Sequence, residues 1–224
     1  MKKDDMMMVP LTVAVWLQGI EKERGLEAAD RASLMFMKAT DHYKNELLKN
    51  EDVHARVLSA HNGADQVMEH HIKTQSSSST MRKVTCKRGC AECCRMFVAV
   101  APNEAKLILR GAKSRGIKID WEKLERQSGK KEDDFYTSVM GDDNKCVFLD
   151  EKSSCKIYKM RPLSCRNHLV ASPKELCVMN NNNKVKKLFS PELEALTFAY
   201  VRLEGLENLS MADGLLRYRK EEGL

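Results

Sequence analysis

The sequence predicts a mainly α-helical chain with a small α+β metal-binding core, in which an irregular Cys-rich loop and a short β-hairpin are flanked by helices. Three observations predict it. Apolar residues recur at three- and four-residue steps through residues 11–72, the period of a helix face. A run of serines then breaks the pattern. Beyond it, seven of the eight cysteines fall between Cys86 and Cys165 in two tight groups, a spacing that suits shared metal ligation.

The elements follow in order. Val13, Leu17 and Ile20, then Leu34, Met37, Leu47 and Leu48, mark helical periodicity, and Gly25 and the Asn50–Asp52 region break it into two or three helices. Residues 1–74 form an N-terminal helical arm. Residues 75–80, with four consecutive serines, read as a flexible linker. A cysteine-cluster domain is expected at 81–189. Its Cys86–Cys94 stretch is too rich in Cys and Gly for a long helix and reads as a ligand loop. Pro102 opens a helix through Leu107, Ile108 and Leu109 to about Ser114, with Gly116 past its end. Asp120 caps a short helix through Leu124.

Ser128 to Asn144 is polar and reads as a surface loop or insertion. Cys146-Val-Phe-Leu and Cys155-Lys-Ile-Tyr are β-prone runs separated by a turn-rich stretch, hence a small hairpin. Ser172-Pro-Lys-Glu175 has the form of a capping box with proline at the first helical position. Residues 190–224 are assigned to C-terminal helices, one opened by Ser190-Pro-Glu and carrying Leu193, Leu196, Phe198 and Val201, the last starting at Met211. No internal repeat is present.

A length of 224 residues fits one domain with an extension or two small ones, enough to bury a core without staples. No run of 18 uninterrupted apolar residues occurs, so no membrane span is expected. Met6 to Ile20 is fairly apolar, but Asp4, Asp5, Pro10 and Gln18 interrupt or flank it, which argues against a signal peptide. A cytoplasmic, reducing location follows as the expectation, where disulfide frameworks are rare. The cysteines then read as metal ligands or redox thiols.

Residues 81–189 carry twenty-four Lys/Arg against thirteen Asp/Glu, while 1–80 and 190–224 are slightly acidic. The plainer reading is that this excess offsets ionised thiolates. The sharper one is a surface for nucleic acid, and six bound thiolates would cancel much of it.

The candidate metal ligands are Cys86, Cys90, Cys93, Cys94, Cys146, Cys155 and Cys165. A short loop holds ligands at low entropy cost, and a second group closes the shell while tying distant segments together. Neighbouring side chains diverge, so either one of Cys93 and Cys94 ligates and the other packs, or they serve two metals. Seven or eight cysteines are too many for one tetrahedral zinc and suit two zinc ions or one cluster with spare thiols.

His168 is weighed as an auxiliary ligand against a surface histidine or one that only supports a ligand, and the second reading is preferred. Cys177 reads as a small apolar residue in the helix after Pro173. Arg161 and Arg166, flanking Cys165, either hydrogen-bond cluster sulfurs or are solvated. His61, Asp65 and Glu69 share a helix face, more simply a solvated face than a site. Asp133-Asp134 and Asp142-Asp143 read as loop charges. No phosphate loop, Ser/His/Asp arrangement or paired-carboxylate motif stands out, and a catalytic free thiol such as Cys94 stays open.

Cys-x3-Cys-x2-Cys-Cys, then Cys-Val-Phe-Leu, Cys-Lys-Ile-Tyr and Arg-Pro-Leu-Ser-Cys-Arg, over about residues 84–170, resembles the YkgJ-type cysteine-cluster family of zinc- or iron-chelating domains. The resemblance implies that the seven cysteines are the family cysteines and that they serve a metal or iron–sulfur centre. A flagellin lysine methylase with a similar motif is associated with a 4Fe–4S cluster, which tilts the expectation toward iron–sulfur over zinc. The three-cysteine loop also has the spacing of radical S-adenosylmethionine enzymes. Glu92 stands where an aromatic is usual, and the roughly 130 residues that follow are too few for most of a β/α barrel.

The function expected is metal binding in a structural, redox or partner-binding module. The alternatives are a cluster-dependent enzyme of the S-adenosylmethionine or methyl-transfer type and a zinc-stabilised nucleic-acid-binding module. Whether the chain is an enzyme stays open. The terminal helices are the expected surface for a protein partner, and the basic 81–189 segment an alternative surface for nucleic acid.

Overall fold

The structure is a computed structural model that describes residues 9–76, 84–87, 89–131, 134, 142–177, 185–205 and 207–224. Most of the 75–80 linker and the middle of the Ser128–Asn144 stretch, Asp133 included, lie outside the described residues. The chain is mainly helical with one small sheet. In order, its elements are α1 (Leu11–Arg24), α2 (Leu26–Leu48), α3 (Val53–Ser76), β1 (Ala99–Val100), α4 (Pro102–Ser114), α5 (Trp121–Gln127), α6 (Leu163–Arg166), α7 (Pro191–Leu203), β2 (Leu209–Ser210) and α8 (Met211–Tyr218). The helix breaks fall at Gly25 and at residues 49–52, where the sequence places them.

The chain divides into two compact units, one of residues 1–68 and 189–206, the other of 69–188 and 207–224. The stretch 190–224 is thus shared: α7 belongs to the first unit, β2 and α8 to the second.

In the first unit, α2 lies against α1 and α7. Its core gathers Val13, Phe36, Ala195 and Phe198, with Trp16, Leu17 and Phe189 packed on it. The Phe36 and Phe198 rings stack at 6.1 Å. At the edge, the Tyr43 hydroxyl donates to Glu192 at 2.6 Å and the Thr12 hydroxyl to Glu194 at 3.0 Å. Burial, and after it the Glu192 carboxylate, pushes the Tyr43 phenol up. Ser190 caps α7 by accepting the Leu193 N–H, as Ser190-Pro-Glu implies. Not every periodic apolar position is buried: Leu34 is 55% and Leu48 45% exposed.

In the second unit, β1 and β2 pair antiparallel, Ala99 with Ser210 and Val100 with Leu209. Helices α4, α5 and α8 surround a core that includes Ile108, Leu109, Leu124, Phe148, Ile157 and Leu215. Asp120 caps α5 by accepting the Lys123 N–H at 2.9 Å, and Ser210 caps α8 by accepting that of Asp213 at 3.0 Å. The expected Cys146–Cys155 hairpin is reduced to a tight reversal with one antiparallel bridge, Leu149 to Cys155. Asp150 shapes it by accepting the N–H groups of Lys152 and Ser154, a turn role that aspartate fills well.

The helix expected at Ser172-Pro-Lys-Glu175 is corrected to a single 3-10 turn, Lys174–Cys177, within the described residues. The Ser172 hydroxyl caps nothing there. It accepts the N–H of Lys186 at 3.2 Å, where residues 169–171 pair with 186–188.

Candidate metal centre

Each cysteine is placed by local backbone logic. The first segment is anchored by Thr85, whose N–H and hydroxyl donate to the Val170 carbonyl at 3.0 and 3.2 Å and whose hydroxyl also reaches the Ser172 carbonyl at 2.6 Å. In return the Val170 N–H donates to Cys86 Sγ at 3.4 Å. Gly89, at φ +83°, lets the chain reverse between Cys86 and Cys90, closed by the Cys90 N–H on the Lys87 carbonyl at 2.9 Å. A 3-10 turn, Glu92–Arg95, then carries Cys93 and Cys94. The Cys94 side chain is near enough to Cys93 to raise its thiol.

The second group is tied to the first. The Cys146 N–H donates to the Cys94 carbonyl at 2.8 Å. Gln127, on α5, fixes the approach to Cys146 by donating to the carbonyls of Asp143 and Lys145 at 2.5 and 3.1 Å. Cys155 follows the Asp150 turn. Cys165 rides on α6, which is pinned twice. The Leu163 N–H donates to buried Glu104 at 2.7 Å, and the Ser164 hydroxyl donates to the Ala99 carbonyl at 2.5 Å.

Arg166 is 3% exposed and not solvated. Its guanidinium donates to the carbonyls of Arg161 and Lys159 at 2.9 and 2.7 Å, gathering the chain before Cys165. Arg161 lies over the Tyr158 ring at 4.2 Å, and its charge favours the thiolates of Cys93, Cys155 and Cys165.

All eight cysteines are free and partly buried. The Cys93 thiol is pushed up by its hydrogen bond with Cys94, then by burial and the charge of Cys94. Burial pushes Cys146 up to about 11 and Cys155 and Cys165 up as well, and each is opposed further by Cys93. Cys86 is raised by burial and by its neighbours Cys93 and Cys90. Against these effects, backbone N–H groups donate to the sulfurs of Cys86, Cys146 and Cys155, from Val170, Phe148 and Ile157 respectively. Such bonds favour the thiolate, the form a metal takes. Cys93 is thus the thiol whose charge acts on each of Cys86, Cys146, Cys155 and Cys165.

Cys177 departs from the helix expected around it; its 3-10 turn packs on the Glu92–Arg95 turn. Burial raises its thiol to about 11, with Cys93, Cys86 and Cys90 adding to the shift. It thus belongs with the loop cysteines, and the only signal in the sequence was its place within the same basic segment. His168 is held neutral by burial and by Lys187, its pKa pushed down to about 4, and its Nε2 is buried without a hydrogen-bond partner among the described residues.

The thiols are gathered but not closed into a shell. Among the described residues, no group of three or more Cys, His, Asp or Glu side chains stands ready around one ion. That statement covers the His61, Asp65 and Glu69 face too; His61 is buried and Glu69 pairs with Lys73 at 2.7 Å. A cavity of about 30 Å³ beside Cys94 and Cys146, lined also by Gln127 and Asn144, has room for a water molecule and not for an organic substrate.

Residues 85–187 match the family model described as "CxxCxxCC: Putative zinc- or iron-chelating domain". This segment is similar to that family over just under half of the chain. No curated protein and no solved structure matches the chain. The chelating domain thus spans the loop, the Asp150 turn, α6 and Cys177. Its donor set suits the group the family implies: soft sulfur ligands from separate segments, steadied by N–H bonds such as that of Val170 on Cys86 Sγ. Among the described residues, no helix is long and apolar enough to cross a membrane.

Proposed function

We propose that the chelating domain holds an iron–sulfur cluster through Cys86, Cys90, Cys93 or Cys94, Cys146, Cys155 and Cys165, with Cys177 close enough to the loop to join them. The convergence of thiols from separate segments around Cys93 carries this reading. A donor set this large exceeds one tetrahedral zinc site and suits a cluster with supporting thiols. When bound, such a group supplies one-electron chemistry or structural closure. The protein's own residues orient the sulfurs, through Thr85, Gln127, Glu104 and Arg166, and donate N–H bonds to them. The module acts in the cytoplasm as a structural or redox element. Its terminal helices meet a protein partner, and exposed Leu11, Val15, Leu26 and Met35 support that assignment.

Anaerobic purification with elemental analysis and a visible spectrum tests it. Brown protein containing iron and sulfide is expected, and Cys90→Ser or Cys165→Ser should strip the metal. Colourless protein with stoichiometric zinc would move the assignment to a structural zinc site. Full metal occupancy in both variants would refute the ligand set.

A further inference from the structure

We propose that His168 supplies Nε2 as a nitrogen ligand to metal held by the cysteines of the chelating domain, making the centre a mixed sulfur–nitrogen one. The inference rests on the metal-binding reading above and adds a ligand that no cysteine motif contains. His168 lies three residues beyond Cys165 and two before Val170, the residue whose N–H donates to Cys86 Sγ at 3.4 Å. The span that carries it is pinned at both ends beside thiols. On one side is α6, held by Glu104 and Ala99. On the other, Thr85 bonds the Val170 carbonyl, and Leu169 and Ala171 pair with Leu188 and Lys186.

The backbone that carries the ring is therefore held between Cys165 and the Val170 N–H that bonds Cys86 Sγ. The ring's Nε2 is buried without a hydrogen-bond partner among the described residues. Buried polar atoms almost always have a partner, and one that lacks it calls for an unseen water or ion. Imidazole nitrogen binds zinc and iron, and it completes sulfur-rich shells of both. Burial beside Lys187 favours the neutral ring, which leaves one nitrogen lone pair to donate.

X-ray absorption at the zinc edge of the zinc-loaded full chain tests this. The parent chain should show a nitrogen shell at about 2.0–2.1 Å beside sulfurs at about 2.3 Å. His168→Ala should lose that shell, and His168→Cys should convert the site to sulfur alone with zinc stoichiometry unchanged. A sulfur-only spectrum in the parent, or a nitrogen shell that survives in His168→Ala, overturns the inference. Should His168→Ala fail to fold, the parent spectrum and His168→Cys decide it. A parent chain that holds neither iron nor zinc overturns this inference together with the metal reading; where it holds iron instead of zinc the iron edge is read the same way, and a metal-loaded sulfur-only site overturns this inference alone.

Discussion

Glu104 links the helical core to the cysteines, and its removal should weaken both. One carboxylate oxygen accepts the Ala101 N–H at 3.1 Å, which caps α4; the other accepts the Leu163 N–H at 2.7 Å, which seats α6 and Cys165. Ala101 and Leu163 are 1% and 2% exposed, so water cannot take over either bond. A buried N–H left without an acceptor costs about 1–3 kcal/mol. Glu104→Ala strands two and should therefore cost about 2–6 kcal/mol, before any cavity is counted, against a typical total of about 5–15 kcal/mol. Glu104→Gln keeps one oxygen and turns an NH2 toward the other amide, so about half the loss is expected. Urea unfolding of metal-free protein gives the number. Trp16 and Trp121 are the two tryptophans, and Trp121 packs on the core beside α4, so a Trp16→Phe background makes the fluorescence report this unit. A loss below about 1 kcal/mol for Glu104→Ala would show that the two N–H bonds do not hold α6 in place.

Further outcomes follow from single contacts. Arg166→Lys cannot span the two carbonyls that the guanidinium bridges; it should cost about 1.5–3 kcal/mol and lower the melting temperature by several degrees, and an unchanged melt would count against the clamp. A Cβ on Gly111 would stand 1.8 Å from Met160 Sδ, so Gly111→Ala should cost about 1–3 kcal/mol. Adding Met160→Ala should recover part of that in a double-mutant cycle, and strict additivity would contradict the contact. Asp213 titrates with the fold: burial alone would raise its carboxyl, but donors Ser128, Ser210 and the Gly129 N–H, helped by Arg217, together hold it below the usual range. A lowered carboxylate stabilises the fold above its unfolded pKa near 4 and loses that contribution as pH falls through the folded value. Asp213→Asn should therefore be less stable than the parent at neutral pH, with the gap closing below about pH 4; a gap independent of pH would refute it.

What the sequence made legible was set by range. Helix ends with strong local chemistry were readable: Pro102, Asp120, Ser190-Pro-Glu and Met211 all mark observed starts. Gly25 and the 49–52 region break the arm where their composition says. Ser172-Pro-Lys-Glu175 has the same local chemistry and misled, because pairing with residues 186–188 claimed the Ser172 hydroxyl. The β1–β2 pair was invisible because two residues carry no alternation, and its strands lie more than a hundred positions apart. Spacing named the seven cysteines as candidates, but no spacing rule shows that Cys177 returns to the loop or that His168 has an empty nitrogen. Both depend on the pairing of residues 169–171 with 186–188 and on the packing of two 3-10 turns, which are non-local.

The two cysteine groups differ in what secures them without metal, and that difference orders their assembly. Cys165 is seated by Glu104, Ser164 and Arg166, all on the core side. Cys146 and Cys155 flank Phe148 and Ile157, which are fully buried in that core. The Cys86–Cys94 loop has less: Thr85 and Cys86 on Val170, and the Cys94 carbonyl on the Cys146 N–H. Burial and mutual repulsion keep the raised thiols protonated, so ionising them in the empty fold is costly. A bound cation reverses that sign: each ligating thiol releases its proton, and repulsion among thiolates becomes attraction to the metal. The core-side thiols then act as a fixed half-shell on which the loop closes. Metal-free protein is therefore expected to keep α4, α5 and α8 folded while the Cys86–Cys94 loop opens, and amide exchange with and without metal checks it; a loop equally protected in both states would refute it.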